Sequence, residues 1–232
     1  MLKRTKDRKV ANSVTRGGNV QIANAFSLPS GTQYTCPGAT GYCESICYAG
    51  KLETMYPSFK SAVLYNFEQL KDANFAGMFS LLVDMLVEFT EECERKGAPK
   101  LFRIHADGDY FNSTYVRAWI LAMKLFPDVQ FWSYTRVVSA AVALHNANLP
   151  NHALYFSADK DNIGIAKVMA AKGILIAVVG DTFADAQALF PSFKCPENRK
   201  SIPLISTKGS ACARCGICIV GRKSVAFSKT KR

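Results

Sequence analysis

Short apolar runs alternate with longer segments of helical periodicity over most of the chain. Four of these runs are bounded by polar or turn-forming residues, namely Leu101–Ala106, Val129–Tyr134, Ala153–Ser157 and Ile174–Val179. Runs of this length and composition predict buried strands, and the segments between them repeat apolar residues at helical spacing. Strands separated by helices of this size predict βαβ units and a parallel sheet.

The ends of this pattern add further elements. Val20–Leu28 is a predicted first strand, and Ile202–Ile205 is a predicted last strand. Helices are predicted from Pro57 onward and from about Phe75 to Arg95. We expect an α/β fold in which the parallel β/α repeats form a partial or complete barrel, because no G-x-G-x-x-G or Walker motif supports a nucleotide-binding open sheet.

Composition divides the chain into three predicted parts. Residues 1–18 are polar and basic and predict a flexible arm, residues 19–220 carry the pattern of a single α/β metal-binding domain, and residues 221–232 form a basic tail. The formal net charge of the 232-residue chain is +11. Basic ends can neutralise phosphates, so nucleic acid is one candidate partner. A solvated, soluble terminus explains the same charges equally well.

Seven of the eight cysteines fall into two groups near the two ends of the chain. The C-terminal group contains Cys195, which precedes a proline, and a C-x-x-C-x-x-C run: Cys212, Cys215 and Cys218. A triplet at this spacing with a remote Cys-Pro is typical of a ferredoxin-like [4Fe-4S] site. We therefore predict these four residues as cluster ligands.

The N-terminal group contains Cys36, which also precedes a proline, together with Cys43 and Cys47. Three thiolates on a cubane cluster would leave one iron free for a substrate, by the same logic that separates catalytic from structural zinc sites. Alternatively, the two groups contribute ligands to a single centre. The remaining Cys93 lies in a predicted helix, and we interpret it as structural.

The predicted compartment favours metal binding over disulfides. The basic N-terminus has no apolar segment typical of a secretory signal, and no apolar run is long enough to span a membrane. We therefore expect a cytoplasmic protein without membrane association. Thiols stay reduced in that compartment, so grouped cysteines there more often bind metal. Zinc is the alternative to iron–sulfur, although it usually takes paired C-x-x-C knuckles.

Polar residues follow the predicted strands directly and suggest a pocket. In parallel α/β folds, ligands bind at the carboxyl ends of the strands. Asp107, Asp109, Arg136 and Asp159 lie at these ends and are the pocket candidates. The alternative for the carboxylates is a role as helix caps or turn formers, and Arg136 could bind an anion or pair with one of them.

Several segments together resemble a phage-encoded family called gene product eighty-eight. The resembling segments are Thr35–Thr40, Cys43–Ala49, Arg103–Tyr110 and Phe131–Arg136, together with Cys195-Pro196 and the cysteine triplet. The resemblance covers about residues 20 to 220. It implies a virus or prophage protein that carries an iron–sulfur cluster in the host cytoplasm, and it supplies no reaction.

A looser similarity links the first cysteine loop to radical S-adenosylmethionine enzymes, which place such a loop after the first strand of a partial α/β barrel. Cys43 and Cys47 match two positions of their C-x-x-x-C-x-x-C motif, but Gly50 stands where the third cysteine belongs. Cys36 would have to substitute for it. This departure argues against S-adenosylmethionine cleavage.

Three hypotheses follow from the sequence. The first is an iron–sulfur protein on a barrel-like scaffold; if it is an enzyme, redox or radical chemistry on an unidentified small molecule is the natural class. The second is a zinc-stabilised protein that binds nucleic acid through its basic ends. The third is a module for binding a host protein, in which a metal only stabilises the fold.

Overall fold

The computed structural model describes residues 1–15 and 18–229, and it contains a parallel sheet with helices packed on one face. The helices are α1 Gly41–Ile46, α2 Tyr48–Met55, α3 Pro57–Leu70, α4 Phe75–Lys96, α5 Ser113–Leu125, α6 Val138–Asn146, α7 Ile163–Ala171, α8 Phe183–Leu189 and α9 Ala211–Cys215. The strands are β1 Asn12–Thr15, β2 Gly18–Gln21, β3 Leu101–Ile104, β4 Gln130–Thr135, β5 His152–Ala158, β6 Leu175–Gly180, β7 Phe193–Lys194, β8 Ile205–Ser206, β9 Gly209–Ser210 and β10 Val225–Ser228.

The main sheet has six parallel strands in the order β3-β4-β5-β6-β10-β7. The four central strands predicted from sequence are confirmed as β3 to β6, each followed by a helix. Consecutive strands lie side by side from β3 to β6, so the order does not reverse there as it does in a doubly wound sheet. Right-handed crossovers in one direction place the connecting helices on the same face.

The sheet is open, so the complete barrel that we allowed for is not formed by the described residues. Its edges are β3 and the two-residue strand β7. The outer edge of β3 is instead bonded to the chain before the first cysteine loop: Phe26 N–H donates to the carbonyl of Arg103 (3.0 Å), and Arg103 N–H donates to the carbonyl of Asn24 (2.9 Å). This segment belongs to the predicted first strand.

Side chains of the strands alternate between two apolar environments. The helix-facing side packs Phe102, Phe131, Phe156 and Val178 against α4 to α8. The other side, which we call the inner face, carries a second cluster that includes Trp132, Tyr155, Ala177 and Val225. Both sides of the sheet are therefore covered, which explains why the strands read as continuous apolar runs.

The ends of the chain cover the inner face. Residues 1–11 of the predicted arm pack against the domain, with Leu2 and Val10 buried and Thr5 bridged to Ala25. The segment predicted as a basic tail contains β10, which inserts between β6 and β7. The predicted last strand contributes its final residue, Ile205, to the small antiparallel hairpin β8–β9, outside the main sheet.

Some polar and apolar predictions concern helices and membranes. The predicted helix from Phe75 is confirmed as α4, whose buried face includes Cys93 at the centre of the larger core. In the described chain, no helix has the length and apolar character required to cross a bilayer.

Candidate functional site

A cavity of about 290 Å³ lies on the inner face of the sheet. The strands contribute one wall, formed by side chains that point away from the helices: Arg103, Tyr134, Ser157, Val179 and Phe227. Residues of the N-terminal segment and of both cysteine groups form the remaining walls. The cavity is thus the place where segments distant in sequence converge.

The first cysteine loop is tied to the carboxyl ends of three strands by hydrogen bonds. Thr40 Oγ1 donates to Asp159 Oδ2 (2.6 Å), and Tyr42 N–H donates to Asp161 Oδ2 (2.8 Å). The Tyr42 hydroxyl donates to Asp181 Oδ1 (3.0 Å). Thr40 also caps α1 by accepting from the N–H of Cys43 (3.0 Å). These contacts place the loop over β4, β5 and β6.

Close backbone packing also fixes this loop. A Cβ atom on Gly38 would lie 2.6 Å from the carbonyl oxygen of Arg136, just beyond the end of β4. No side chain fits between the two backbones, so glycine is required there. The sequence showed a glycine in the loop but not the strand end against which it packs.

The three N-terminal cysteines form one electrostatic group. Cys43 and Cys47 line the cavity. Burial, the Asp109 carboxylate and the neighbouring Cys43 and Cys47 raise the pKa of Cys36 to about 12, against a hydrogen bond from the backbone at Gly31. Burial also raises the pKa of Cys43, although the Arg136 guanidinium opposes this shift by its charge and by a hydrogen bond. Arg136 therefore faces the thiol that a metal would need deprotonated.

The C-terminal cysteines are held by main-chain hydrogen bonds under the inner face. Cys195 N–H donates to the carbonyl of Ala226 (3.0 Å) in β10, and Cys212 N–H donates to the carbonyl of Lys9 (2.7 Å). The cysteine triplet begins in α9, which ends at Gly216 in the left-handed conformation (φ 68°). This glycine lets the chain reverse between Cys215 and Cys218 at no steric cost.

All four C-terminal cysteines line a second, smaller cavity of about 20 Å³ with mainly apolar neighbours. Cys195, Cys212 and Cys218 line the 290 Å³ cavity as well. Burial is the main cause that raises the pKa of each of these three thiols, and the pKa of Cys218 reaches about 11. The two cysteine groups therefore face one another across a shared space.

Two tyrosines surround Cys218. The hydroxyl groups of Tyr134 and Tyr155 both hydrogen-bond to the Cys218 sulfur, and their rings lie 5.3 Å apart. The Tyr155 hydroxyl also lies 3.3 Å from the carbonyl oxygen of Ile217. Hydrogen bonds to a ligand sulfur are one way a protein tunes a cluster. The sequence analysis gave these tyrosines no role at the cysteines.

The pocket candidates named from sequence take different positions. Arg136 lines the cavity, whereas Asp107, Asp109 and Asp159 are buried residues outside its wall. Asp159 Oδ2 accepts from Arg136 Nη1 (2.6 Å), and Asp109 accepts from the Arg136 N–H (2.8 Å) and from Thr135 Oγ1 (2.6 Å). These two carboxylates thus orient Arg136 and the first cysteine loop.

Burial dominates the acid–base properties of the carboxylates below the loop. It raises the pKa of Asp109 to about 6, although three hydrogen bonds to the carboxylate oppose the shift. It raises the pKa of Asp107 to about 7, and one oxygen of that carboxylate, Oδ1, has no hydrogen-bond partner. A buried carboxylate with few partners favours its neutral form.

Further charged residues of the cavity were missed by sequence reasoning. Lys9 pairs with Glu197 (3.0 Å), and Arg103 pairs with Asp7. Lys229 pairs with Asp181 (2.7 Å). These pairs join residues far apart in sequence, so no local spacing signals them.

The cysteines are all free thiols, which fits the predicted reducing environment. Within residues 1–15 and 18–229, however, no three side chains of His, Cys, Asp or Glu are already gathered closely enough to hold a metal ion. The cysteine side chains therefore wall cavities rather than form a preassembled ion site. Cys93 stands apart from both groups, with its sulfur 3.9 Å from the carbonyl of Pro99.

Comparison with known proteins places the chain among phage proteins. The model of a family described as Gene product 88 matches residues 1–221. The Gene 88 protein of Mycobacterium phage L5 is 55% identical over 236 residues, covering 100% of this chain and 99% of that protein. The Gene 88 protein of Mycobacterium phage D29 is 54% identical over 237 residues with the same coverage. No solved structure matches the chain.

Proposed function

The chain belongs to the Gene product 88 family of bacteriophage proteins, and from this premise we propose that it is an iron–sulfur protein of the phage. In this proposal, Cys195, Cys212, Cys215 and Cys218 hold a [4Fe-4S] cluster. The observation that carries it is the small cavity walled by these four cysteines. A cubane cluster takes one thiolate at each of four corners, as a wall of four cysteines offers.

The surroundings of the four cysteines support a cluster ligand set. Cys195, Cys212 and Cys218 face both cavities, so a cluster bound there would extend from the small cavity toward the larger one. The thiol pKa values are raised because no metal charge balances buried thiolates. Metal binding would deprotonate the thiols and supply that charge. Loading would also require the side chains to turn toward the cluster.

When bound, such a cluster supplies one-electron transfer or radical chemistry. The chain's own residues would provide the place for a reactant. The 290 Å³ cavity is large enough for a small molecule, and Arg136 and Ser157 offer polar contacts in its wall. The Asp159 carboxylate fixes the Arg136 guanidinium and thus the direction of its donors. We place this activity in the host cytoplasm, where the thiols stay reduced.

Anaerobic purification followed by iron, sulfide and zinc assays on one sample tests the proposal. We expect a brown protein whose C-terminal site contains about four irons and four sulfides. Cys215→Ala should abolish that cluster, because Cys215 lines the small cavity. The matched control Cys93→Ala should keep it, because Cys93 lies in the core at α4.

Two outcomes would contradict the proposal. The first is a colourless protein with stoichiometric zinc, which would favour the zinc-stabilised protein and call for salt-dependent nucleic-acid binding assays. The second is a cluster that survives in Cys215→Ala. Because that variant could lose its cluster by unfolding, Cys195→Ser and circular dichroism of both proteins accompany it. Loss of the cluster in a folded variant is the supporting result.

A further inference from the structure

We propose that Cys36, Cys43 and Cys47 hold a second iron–sulfur cluster, whose fourth iron opens into the 290 Å³ cavity and takes a small ligand with an anionic oxygen. This inference rests on the proposed function, because it assigns the C-terminal cysteines to the first cluster. It decides between the two arrangements that the sequence left open, one shared centre or two separate centres.

The first argument is that the three thiols are grouped by the fold itself. Cys36 interacts electrostatically with both Cys43 and Cys47. The turn that presents Cys36 is closed by hydrogen bonds from its N–H to the carbonyl of Gly31 (3.1 Å) and from Ala39 N–H to its own carbonyl (3.0 Å). The group is thus held by main-chain contacts that do not involve the sulfur atoms.

The second argument is that this group is anchored independently of the C-terminal one. Its loop is bound by side chains that follow β5 and β6, through Asp159, Asp161 and Asp181. The C-terminal cysteines are anchored instead on β10 and on the N-terminal segment. Two rigid attachments on opposite sides of one cavity suit two centres better than one centre shared between them.

The third argument concerns the missing ligand. Four cysteines of the described chain line the small cavity, and Cys93 is buried among the side chains of the larger core. Three thiolates therefore remain for the N-terminal group. A cubane held by three thiolates has one iron without a protein sulfur, and Cys43 and Cys47 place that iron beside the cavity.

The charges of the cavity wall select the ligand class. The wall contains four cationic side chains, Lys9, Arg103, Arg136 and Lys229, and two carboxylates, Asp7 and Glu197. Arg136 lies beside Cys43, where a ligand of the open iron would extend. A carboxylate could bind that iron through one oxygen and Arg136 through the other.

The test counts irons in paired variants of the full chain and probes the open iron with ¹⁷O-labelled acetate. The inference predicts about eight irons in the wild type and about four in each of two variants, Cys215→Ser/Cys218→Ser and Cys43→Ser/Cys47→Ser. Labelled acetate should broaden the electron paramagnetic resonance signal of the first variant after reduction. It should leave the signal of the second variant unchanged.

The outcomes separate this inference from the proposed function. About four irons in the wild type that vanish only in Cys215→Ser/Cys218→Ser would overturn the second cluster and leave the first. About four irons that vanish in both variants would indicate one shared centre and overturn the inference. About four irons that vanish only in Cys43→Ser/Cys47→Ser would overturn the proposed C-terminal cluster instead. Eight irons without acetate broadening would overturn the anionic ligand.

Discussion

The two cysteine groups face one cavity, but the chain anchors them in different ways. The N-terminal group sits in a loop bound by buried and half-buried polar side chains, with Asp159 and Arg136 at the centre of the contacts. The C-terminal group is bound by main-chain hydrogen bonds and packs against apolar residues of the inner face. Polar anchoring places charged donors beside the thiols, whereas apolar anchoring excludes them.

This difference assigns different tasks to the two groups. A cluster among apolar walls is screened from ligands and suits storage or transfer of an electron. Thiols beside a fixed guanidinium suit recognition of a ligand. The comparison also predicts that the N-terminal loop depends on single charged and hydroxyl side chains, and the C-terminal segment depends on none of them.

Asp159→Asn should have the largest effect on the N-terminal loop. The fully buried Asp159 carboxylate accepts hydrogen bonds from Arg136 (2.6 Å) and Thr40 (2.6 Å), so its removal leaves a buried guanidinium without a counter-charge. Breaking one partner of a buried pair costs about 3–5 kcal/mol. Urea unfolding at pH 7 measures this loss. Glu68→Gln is the control, because it removes an exposed ion pair of α3 with Lys71.

The outcome of this comparison is decisive for the anchoring. We expect no measurable change of the urea midpoint in Glu68→Gln, since exposed ion pairs contribute little. Equal losses in the two variants would show that the Asp159–Arg136 pair does not hold the loop. A stable Asp159→Asn protein would contradict the polar anchoring altogether.

Asp107 should make stability depend on pH from beneath the same loop. Burial raises its pKa from 3.8 to about 7; Arg103 and the Tyr48 hydroxyl oppose the shift, and Asp7 and Glu53 add to it. Between about pH 4 and pH 7 the folded state keeps a proton that the unfolded state has lost. This contribution to stability is therefore complete at low pH and lost as the pH rises to about 7.

Asp107→Asn tests this sign. The amide cannot ionise, so the variant should gain stability relative to the wild type between pH 5 and pH 8, by up to about 3 kcal/mol. The measurement is the difference in unfolding free energy at the two pH values. A difference between the two proteins that is the same at both pH values would contradict the buried, protonated carboxyl.

Gly38→Ala should displace the N-terminal loop from the end of β4. The added Cβ would lie 2.6 Å from the carbonyl oxygen of Arg136, and backbone atoms cannot move aside as a flexible side chain does. Overpacking of this kind costs about 1–3 kcal/mol. Gly164→Ala in α7 is the matched control, because nothing lies within 4 Å of the Cβ that it would add.

Thermal unfolding and iron content distinguish the effects of the two glycine variants. Gly38→Ala should lower the melting temperature and remove iron from the N-terminal group while leaving the C-terminal cluster. Gly164→Ala should match or exceed the wild-type melting temperature, since alanine is the better helix former. If both variants melt alike, the close contact between Gly38 and Arg136 is not maintained in solution.

The sequence predicted the parts of the fold that local patterns specify. Strands β3 to β6 and helix α4 follow from short apolar runs and from periodicity over many turns. The position of β10 did not follow, because a four-residue strand after the cysteine triplet carries no signal of where it will pair. Leu2 and Val10 are single apolar residues among charged neighbours, so their burial was not predictable from composition.

The same distinction applies to the candidate site. The cysteine spacings and the polar residues after the strands were visible in the sequence, and Arg136 does line the cavity. The pairing of Asp7 with Arg103 was not visible, because these residues are brought together by the path of the N-terminal segment across the inner face. Long-range ion pairs have no spacing rule, so only the fold identifies them.

Tyr134→Phe should sharpen the account of the C-terminal group with the smallest change. The Tyr134 hydroxyl hydrogen-bonds to the Cys218 sulfur on the inner face, and a donor to a ligand sulfur stabilises the more negative, reduced cluster. Removing it should lower the reduction potential of the C-terminal cluster without changing its iron content. A redox titration of Cys43→Ser/Cys47→Ser with and without Tyr134→Phe isolates that cluster. Tyr110→Phe is the control, since its ring contacts His105 and Tyr115 in the larger core. Equal potentials in the Tyr134→Phe protein and its parent would mean that this hydroxyl does not reach a ligand of the cluster.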